Sequence, residues 1–127
     1  MLYLDSSAIV KLVVREPGSS ALVDVVSSDP DVISSAIAYT EVMRAIRRAG
    51  GPTRRAEQVL RSIALVPIDG AILREAATMA PTPLRTLDAL HLASALSLRP
   101  DLDALVSYDA RLSRAATAAG LFIAGAS

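Results

Sequence analysis

The sequence predicts an α/β fold in which a parallel sheet is covered by helices on both faces. Short apolar runs of strand length alternate with longer helical segments along the chain, and this alternation implies β-α-β crossovers. Polar caps, glycines and prolines mark the boundaries between the segments. Apolar residues make up 52% of the chain but include one Phe, three Tyr and no Trp. A core of Ala, Leu, Val and Ile packed between helices and strands is therefore expected.

The first half of the chain predicts two strands and four helices. A strand over residues 1–4 ends at Asp5, and Ser6 and Ser7 start a helix that continues through residues 8–14. Pro17 then enforces a turn. The remaining elements predicted here are a helix over 19–26, a strand over 32–34, a helix to residue 49 and a helix over 54–63.

The second half of the chain predicts three strands and three helices. Asp69 caps a helix that runs to residue 79, and Thr86 caps a helix over 87–98. Gly120 stops the last helix, which covers 110–119. The predicted strands are 64–68, 104–107 and 121–123. Without an internal repeat, linker or low-complexity tract, we expect a single domain over residues 1–127.

The bulk composition excludes several classes of protein. The absence of cysteine rules out disulfides and thiolate metal sites. Thirteen basic and thirteen acidic residues cancel, which argues against a protein that coats nucleic acid non-specifically. No apolar run approaches the roughly 20 residues that span a bilayer, and the first residues lack the basic region of a signal peptide. We expect a cytoplasmic protein that does not enter a membrane.

Four acidic residues fall where predicted strands end or helices begin. Asp5 follows the first strand, Asp109 follows the strand at 104–107, and Glu41 and Asp88 lie near helix starts. Ligands of open parallel sheets bind outside the carboxyl ends of the strands. The helices that carry Glu41 and Asp88 are predicted to begin at that same edge. All four acids are therefore expected to converge there.

Each acid taken alone also has a structural explanation. Asp5 and Asp109 could cap helices, the helix dipole favours Asp88 near an N-terminus, and Glu41 could be an exposed helix residue. Asp5 and Asp88, however, stand among apolar neighbours, where a lone carboxylate is costly to desolvate. A cluster of such acids is stable with a cation among them, and ligands that are all oxygen select Mg²⁺ or Mn²⁺.

Five motifs succeed one another from residue 3 to residue 109. They are Tyr3-Leu4-Asp5-Ser6-Ser7-Ala8-Ile9-Val10-Lys11, Glu16-Pro17-Gly18-Ser19, Thr40-Glu41, Leu87-Asp88-Ala89-Leu90-His91-Leu92-Ala93 and Val106-Ser107-Tyr108-Asp109. The ordered set resembles the PIN-domain family, and within it the VapC-type toxins. Ser6 and Ser107 depart from the family pattern, in which Thr is commoner, but both keep the hydroxyl. The resemblance implies a three-layer α/β/α fold with five parallel strands in the order 3-2-1-4-5.

The resemblance also implies an activity and its residues. It implies a Mg²⁺- or Mn²⁺-dependent endoribonuclease that hydrolyses RNA phosphodiester bonds as the toxin of a type II VapBC toxin–antitoxin system. Asp5, Glu41, Asp88 and Asp109 would form its acidic quartet. We expect Asp5 and Asp88 to hold the metal most directly, Asp109 to complete the site, and Glu41 to orient the attacking water or a second ion.

Five other polar residues are candidates for supporting roles in this interpretation. Ser7 and Ser107 are candidate hydrogen-bond donors to the acids, although helix capping and strand-end packing explain them equally well. His91 is expected to be a packed, hydrogen-bonded residue rather than a metal ligand. Lys11 and Arg85 are candidates for contact with RNA phosphate, and Arg85 is the better placed.

A cluster of arginines occupies the middle of the chain. We interpret it first as a solvated face, with an RNA path or an antitoxin groove as alternatives. The residues concerned are Arg44, Arg47, Arg48, Arg54, Arg55 and Arg61.

Three other functions compete with the ribonuclease. A haloacid-dehalogenase-like phosphatase also begins with a strand that ends in Asp, but it needs a second Asp where Ser7 stands. A phospho-receiver domain needs a late lysine, whereas the only lysine here is Lys11. A catalytically silent PIN-fold binding module is the third, and the intact quartet argues against it.

The same interpretation predicts three partners. They are an RNA substrate, a cognate VapB-type antitoxin whose helix lies in a groove, and a second copy of the chain. The homodimer is expected because the chain carries more apolar residues than a core of this size readily hides.

Overall fold

The computed structural model describes residues 1–29 and 31–124, so residue 30 and residues 125–127 of the expected domain lie outside the described part. The strands within it are β1 (Leu2–Leu4), β2 (Val32–Ser35), β3 (Ala64–Val66), β4 (Ala104–Val106) and β5 (Ile123–Ala124). The helices are α1 (Ser6–Val13), α2 (Ser19–Ser27), α3 (Ile37–Arg48), α4 (Thr53–Arg61), α5 (Gly70–Thr78), α6 (Thr86–Leu96) and α7 (Ala110–Ala118).

The five strands form one parallel sheet in the order β3-β2-β1-β4-β5. In the centre of the sheet, Tyr3 of β1 pairs with Ile33 of β2 on one side and with Leu105 of β4 on the other. The α/β class and the strand order 3-2-1-4-5 are thus confirmed. Because β1 is the central strand, Asp5 at its end lies in the middle of the carboxyl edge.

Alternation along the strands produces one hydrophobic core on each face of the sheet. Leu2 and Leu4 of β1 belong to the core formed with α1, α2, α3 and α4. Tyr3 points the other way, into the core formed with α6 and α7. This period of two is the geometry of a pleated strand. The result is the expected three layers, with helices covering both faces.

Several helix and strand boundaries differ from the prediction by one or two residues, among them the start of α6 and the end of β3. α6 begins at Thr86, and Arg85, rather than Thr86, is its N-cap. The N–H of Arg85 donates to Oδ2 of Asp88 at 3.3 Å. The side chain of Asp88, in the first turn of the helix, thus accepts the backbone N–H of the N-cap residue. β3 ends at Val66, because Pro67 has no N–H for the ladder.

The last strand lies further along the chain than predicted. β5 is Ile123–Ala124, whereas the sequence indicated 121–123. Gly120 stops α7 as expected, with a φ of 92°. The N–H of Leu121 then donates to the carbonyl of Ala116 at 3.0 Å, a helix-closing bond that keeps Leu121 out of the sheet.

None of the helices in the described ranges combines the length and the apolar character that a membrane span requires.

Candidate active site

The four predicted acids lie around the carboxyl edge of the sheet. Asp5 directly follows β1, and Asp109, three residues beyond β4, is the N-cap of α7. Glu41 stands on α3, which follows β2, and Asp88 stands in the first turn of α6. The C-terminal end of α6 leads to the start of β4, so its N-terminal end, with Asp88, lies towards the opposite edge, where β4 ends.

Asp5 is the most enclosed of the four acids, with 3% of its surface exposed. Its Oδ1 accepts hydrogen bonds from Oγ of Ser7 at 2.7 Å and from the N–H of Ala8 at 3.0 Å. Its Oδ2 accepts a 2.5 Å bond from Oγ of Ser107. Burial raises the pKa of Asp5, and the donors, led by Ser107 and Ser7, oppose that rise without cancelling it.

Ser7 and Ser107 connect Asp5 to the segment after β4. Oγ of Ser107 donates to Asp5 and accepts the N–H of Asp109 at 3.0 Å. Oγ of Ser7 accepts the N–H of Tyr108 at 2.9 Å. The predicted role of both serines as donors to an acid is confirmed. Through Ser107, the side chain of Asp5 is linked to the backbone of Asp109.

Glu41 belongs to a second network, on the side of α6. Its Oε1 accepts hydrogen bonds from Oγ of Ser6 at 2.6 Å and from Nε2 of His91 at 2.7 Å. Nδ1 of His91 lies 2.7 Å from the hydroxyl of Tyr3. Burial acts to raise the pKa of Glu41, but hydrogen bonds from His91 and Ser6 outweigh it, so the pKa is lowered. Glu41 is therefore ionised at neutral pH.

His91 is packed and hydrogen-bonded, as expected, with 3% of its surface exposed. The sequence did not indicate that its partner would be Glu41, 50 positions earlier, nor that Tyr3 and Ser6 would join the same network. Two sequence features could have indicated these partners. Tyr3 lies on the opposite face of β1 from Leu2 and Leu4, and Ser6 directly follows Asp5.

Asp88 and Asp109 have different surroundings. Oδ1 of Asp109 caps α7 by accepting the N–H groups of Arg111 at 2.8 Å and Leu112 at 3.3 Å. Oδ2 of Asp88 accepts only the N–H of Arg85 among the described residues. No group of three or more Asp, Glu or His side chains within those residues is gathered closely enough to hold a metal ion as it stands. Ser107 joins Asp5 to Asp109, whereas the structure shows no contact between the carboxylate of Asp88 and the other three.

The donor chemistry of the acids fits a hard divalent cation. Oε2 of Glu41, Oδ1 of Asp88 and Oδ2 of Asp109 accept no hydrogen bond from any residue in the described ranges. Carboxylate oxygens are the ligands that Mg²⁺ and Mn²⁺ prefer. Both ring nitrogens of His91 already have partners, so nitrogen ligation is not offered.

The two candidate phosphate-binding residues differ in their surroundings. Nζ of Lys11 lies 4.6 Å from the ring centroid of Tyr108 and 3.4 Å from Oε1 of Glu16, so partners within the protein hold it. Arg85 is exposed beside the N-terminus of α6.

Known proteins resemble this chain over nearly its whole length. A model of the PIN domain matches residues 2–118. Ribonuclease VapC46 of Mycobacterium tuberculosis is 45% identical over 123 residues, which cover 96% of this chain and 95% of that protein.

Two solved structures share the fold at low sequence identity. The VapC20 toxin of Mycobacterium tuberculosis, described as cleaving the sarcin–ricin loop, has a TM-score of 0.74 at 15% identity and covers 95% of this chain and 96% of its own. A toxin–antitoxin complex from Klebsiella pneumoniae has a TM-score of 0.73 at 20% identity, with coverages of 100% and 96%.

Proposed function

This chain belongs to the PIN-domain family, and from that premise we propose that it is a VapC-type toxin that hydrolyses RNA phosphodiester bonds with a divalent metal ion. The observation that carries the proposal is the state of Asp5. It is a buried carboxylate with a raised pKa at the centre of the sheet's carboxyl edge. As the N-cap of α1, Asp5 needs only the hydrogen bond that it accepts from the N–H of Ala8. The burial and the bond to Ser107 go beyond capping and are typical of a functional acid.

The four acids have two different roles in this proposal. Asp5, Asp88 and Asp109 would hold Mg²⁺ or Mn²⁺, and Asp5 is already oriented through both of its oxygens. A bound ion of this kind lowers the pKa of a coordinated water and neutralises charge on the phosphate. Glu41 is ionised, and its Oε1 is held by Ser6 and His91. Its Oε2, which accepts no hydrogen bond among the described residues, would then accept a proton from the attacking water.

Cleavage of a labelled mixed RNA pool by the purified chain tests this activity. We expect cleavage with Mn²⁺, none with EDTA, and none by the Asp5→Asn variant under either condition. The chromogenic substrate p-nitrophenyl phosphate should remain intact, because a phosphatase of the haloacid-dehalogenase type would hydrolyse it. Intact RNA after incubation of folded protein with Mn²⁺ would instead support a silent binding module.

The toxin role predicts an effect on growing cells. We place its action in the cytoplasm, where its RNA substrate is, and its partner is a VapB-type antitoxin. The likeness to a toxin–antitoxin complex supports this partner. Expression of the chain alone should arrest bacterial growth, whereas the Asp5→Asn variant should be harmless. Normal growth with soluble wild-type protein present would contradict the toxin role.

We also propose a homodimer, which exposed apolar side chains support. Phe122 is 80% exposed and Leu73 52%, and large apolar side chains exposed to this degree favour a partner surface. Sedimentation equilibrium should detect a dimer at about ten micromolar, the range in which weak dimers persist. A monomer at that concentration would contradict the proposal.

A further inference from the structure

A groove runs along α3 from the acidic site towards the C-terminal end of that helix. Its volume is about 490 Å³. Leu87, which precedes Asp88, forms part of its wall, so the groove opens beside two of the proposed catalytic acids. The residues that line it are Ile37, Thr40, Glu41, Arg44, Arg48 and Leu87.

The spacing along α3 puts one acid and two arginines in a row. Residues three and four apart on a helix are neighbours on its surface, so Glu41, Arg44 and Arg48 succeed one another along one stripe. Arg47 lies on the same helix but does not line the groove. The groove is thus acidic where it meets the site and basic along the rest of its length.

Arg44 and Arg48 are exposed, and neither has a carboxylate within 4.0 Å among the described residues. Arg61 differs, because its Nη2 lies 3.5 Å from Oε2 of Glu57 one turn earlier on α4. The sequence favoured a solvated face for the whole arginine cluster. The structure separates Arg44 and Arg48 from the rest by placing both residues along a cavity that adjoins the acids.

We propose that this groove binds the RNA strand, with Arg44 and Arg48 contacting the phosphates that flank the bond to be cut. The inference rests on the proposed ribonuclease function and adds a substrate-binding site to it. The acids of the site repel a phosphodiester backbone, and the chain has no net charge to attract one. Cations next to the acids are therefore needed to hold the strand. Guanidinium groups match phosphate geometry and bind it through paired hydrogen bonds.

RNA binding by the parent and two variants tests the groove. The probe is a short fluorescein-labelled single-stranded RNA, and its anisotropy is measured in EDTA over a range of salt concentrations. The Arg44→Gln/Arg48→Gln double variant should raise Kd about tenfold and reduce the slope of log Kd against log salt by about 1.4, because each phosphate contact contributes about 0.7. Arg47→Gln is the matched control from the same helix and should bind like the parent. With Mn²⁺, the double variant should raise KM more than it lowers kcat.

The outcomes separate this inference from the function on which it rests. If the parent protein neither binds nor cleaves RNA, both the proposed function and the groove inference are wrong. If the parent cleaves RNA but the double variant matches Arg47→Gln in Kd and salt slope, the groove inference alone is wrong. Loss of self-association or of antitoxin binding by the double variant, with RNA affinity unchanged, would show that this face contacts protein and would also overturn it.

Discussion

The Nε2 atom of His91 lies 2.7 Å from Oε1 of Glu41 and joins α6 to α3 by a partly buried polar contact. An ionised carboxylate can only accept, so Nε2 carries the proton of the imidazole ring. In the neutral ring, Nδ1 then accepts from the hydroxyl of Tyr3, whose pKa is raised by burial. This direction of hydrogen bonds, from Tyr3 through His91 to Glu41, fixes both the tautomer of the histidine and the orientation of the glutamate.

Replacing His91 with Phe should destabilise the protein and raise the pKa of Glu41. The variant leaves Oε1 of Glu41 and the hydroxyl of Tyr3 without this partner, and we expect a loss of about 2–4 kcal/mol in the free energy of unfolding. Urea unfolding and carboxyl-carbon NMR titration measure the two effects. His91→Gln keeps an amide donor, so its free energy of unfolding should fall less and the pKa of Glu41 should rise less. Equal losses for the two variants, with an unchanged titration of Glu41, would show that His91 acts only by filling space.

Replacing Ser107 with Ala should affect Asp5. Oδ2 of Asp5 would lose its 2.5 Å donor, and a hydrogen bond to a charged group contributes about 1.5–3 kcal/mol. We expect a loss of that size in metal-free buffer at pH 7, together with a further rise in the pKa of Asp5. Ser107→Thr retains the hydroxyl and should stay close to the parent. The prediction fails if Ala and Thr at this position give the same free energy of unfolding.

The raised pKa of Asp5 predicts the sign of a pH effect. Because the folded state holds this proton more tightly than the unfolded state, ionised Asp5 lowers stability above its folded pKa. That penalty disappears as the pH falls through the folded pKa towards the ordinary value of 3.8. In EDTA, Asp5→Asn should therefore gain stability relative to the parent as the pH rises towards 7. A stability difference that does not change with pH would contradict the burial argument.

Glu41 should contribute with the opposite sign. Its pKa is lowered in the folded state, so its stabilising contribution is complete above the ordinary value of 4.5 and is lost as the pH falls through the folded pKa. Glu41→Gln should therefore be less stable than the parent at pH 7, and the difference should shrink at acid pH. Guanidinium unfolding of both proteins between neutral and acid pH measures it, and a difference that grows on acidification would refute the assignment.

Thermal melts with and without Mn²⁺ separate a metal ligand from a helix cap at Asp88. In EDTA, Asp88→Asn should change stability by no more than about 1 kcal/mol, since Asn can still accept from the N–H of Arg85. In Mn²⁺ the parent should be stabilised more than the variant, because a ligand that binds only the folded state raises its stability.

Asp69 is the matched control for this comparison. It caps α5 through the N–H of Ile72 at 2.9 Å, and it is not among the proposed ligands. Asp69→Asn should respond to Mn²⁺ as the parent does. If Asp88→Asn also gains as much from Mn²⁺ as the parent, Asp88 is a cap alone.

Local sequence signals were enough to predict the order of strands and helices. β-branched runs, the caps at Asp69 and Gly120, and the breaks at proline depend on interactions within a few residues, so they can be read directly from the chain. The misplaced boundaries have a different cause. β5 is displaced because the amide of Leu121 closes α7, and hydrogen-bond competition of this kind depends on the final geometry of the helix end.

The position of the acids at the carboxyl edge also followed from the sequence, but their partners did not. Asp5 and Ser107 are 102 positions apart, and they meet because β1 and β4 pair in register. The sequence also could not predict which face of α6 lies against Glu41. Residues 91–95 are all buried, so no apolar stripe marks the side on which His91 lies.

The sequence by itself determined the α/β class and the succession of elements, and it predicted a set of candidate acids, because these depend on local propensity and on the rule that parallel strands end at one edge. Only the tertiary structure decided that Asp5 is buried with a raised pKa while Glu41 is ionised. The physical reason is that desolvation and hydrogen bonding act through space. Ser107 and His91 reach these acids from other elements, at distances that strand register and helix rotation set.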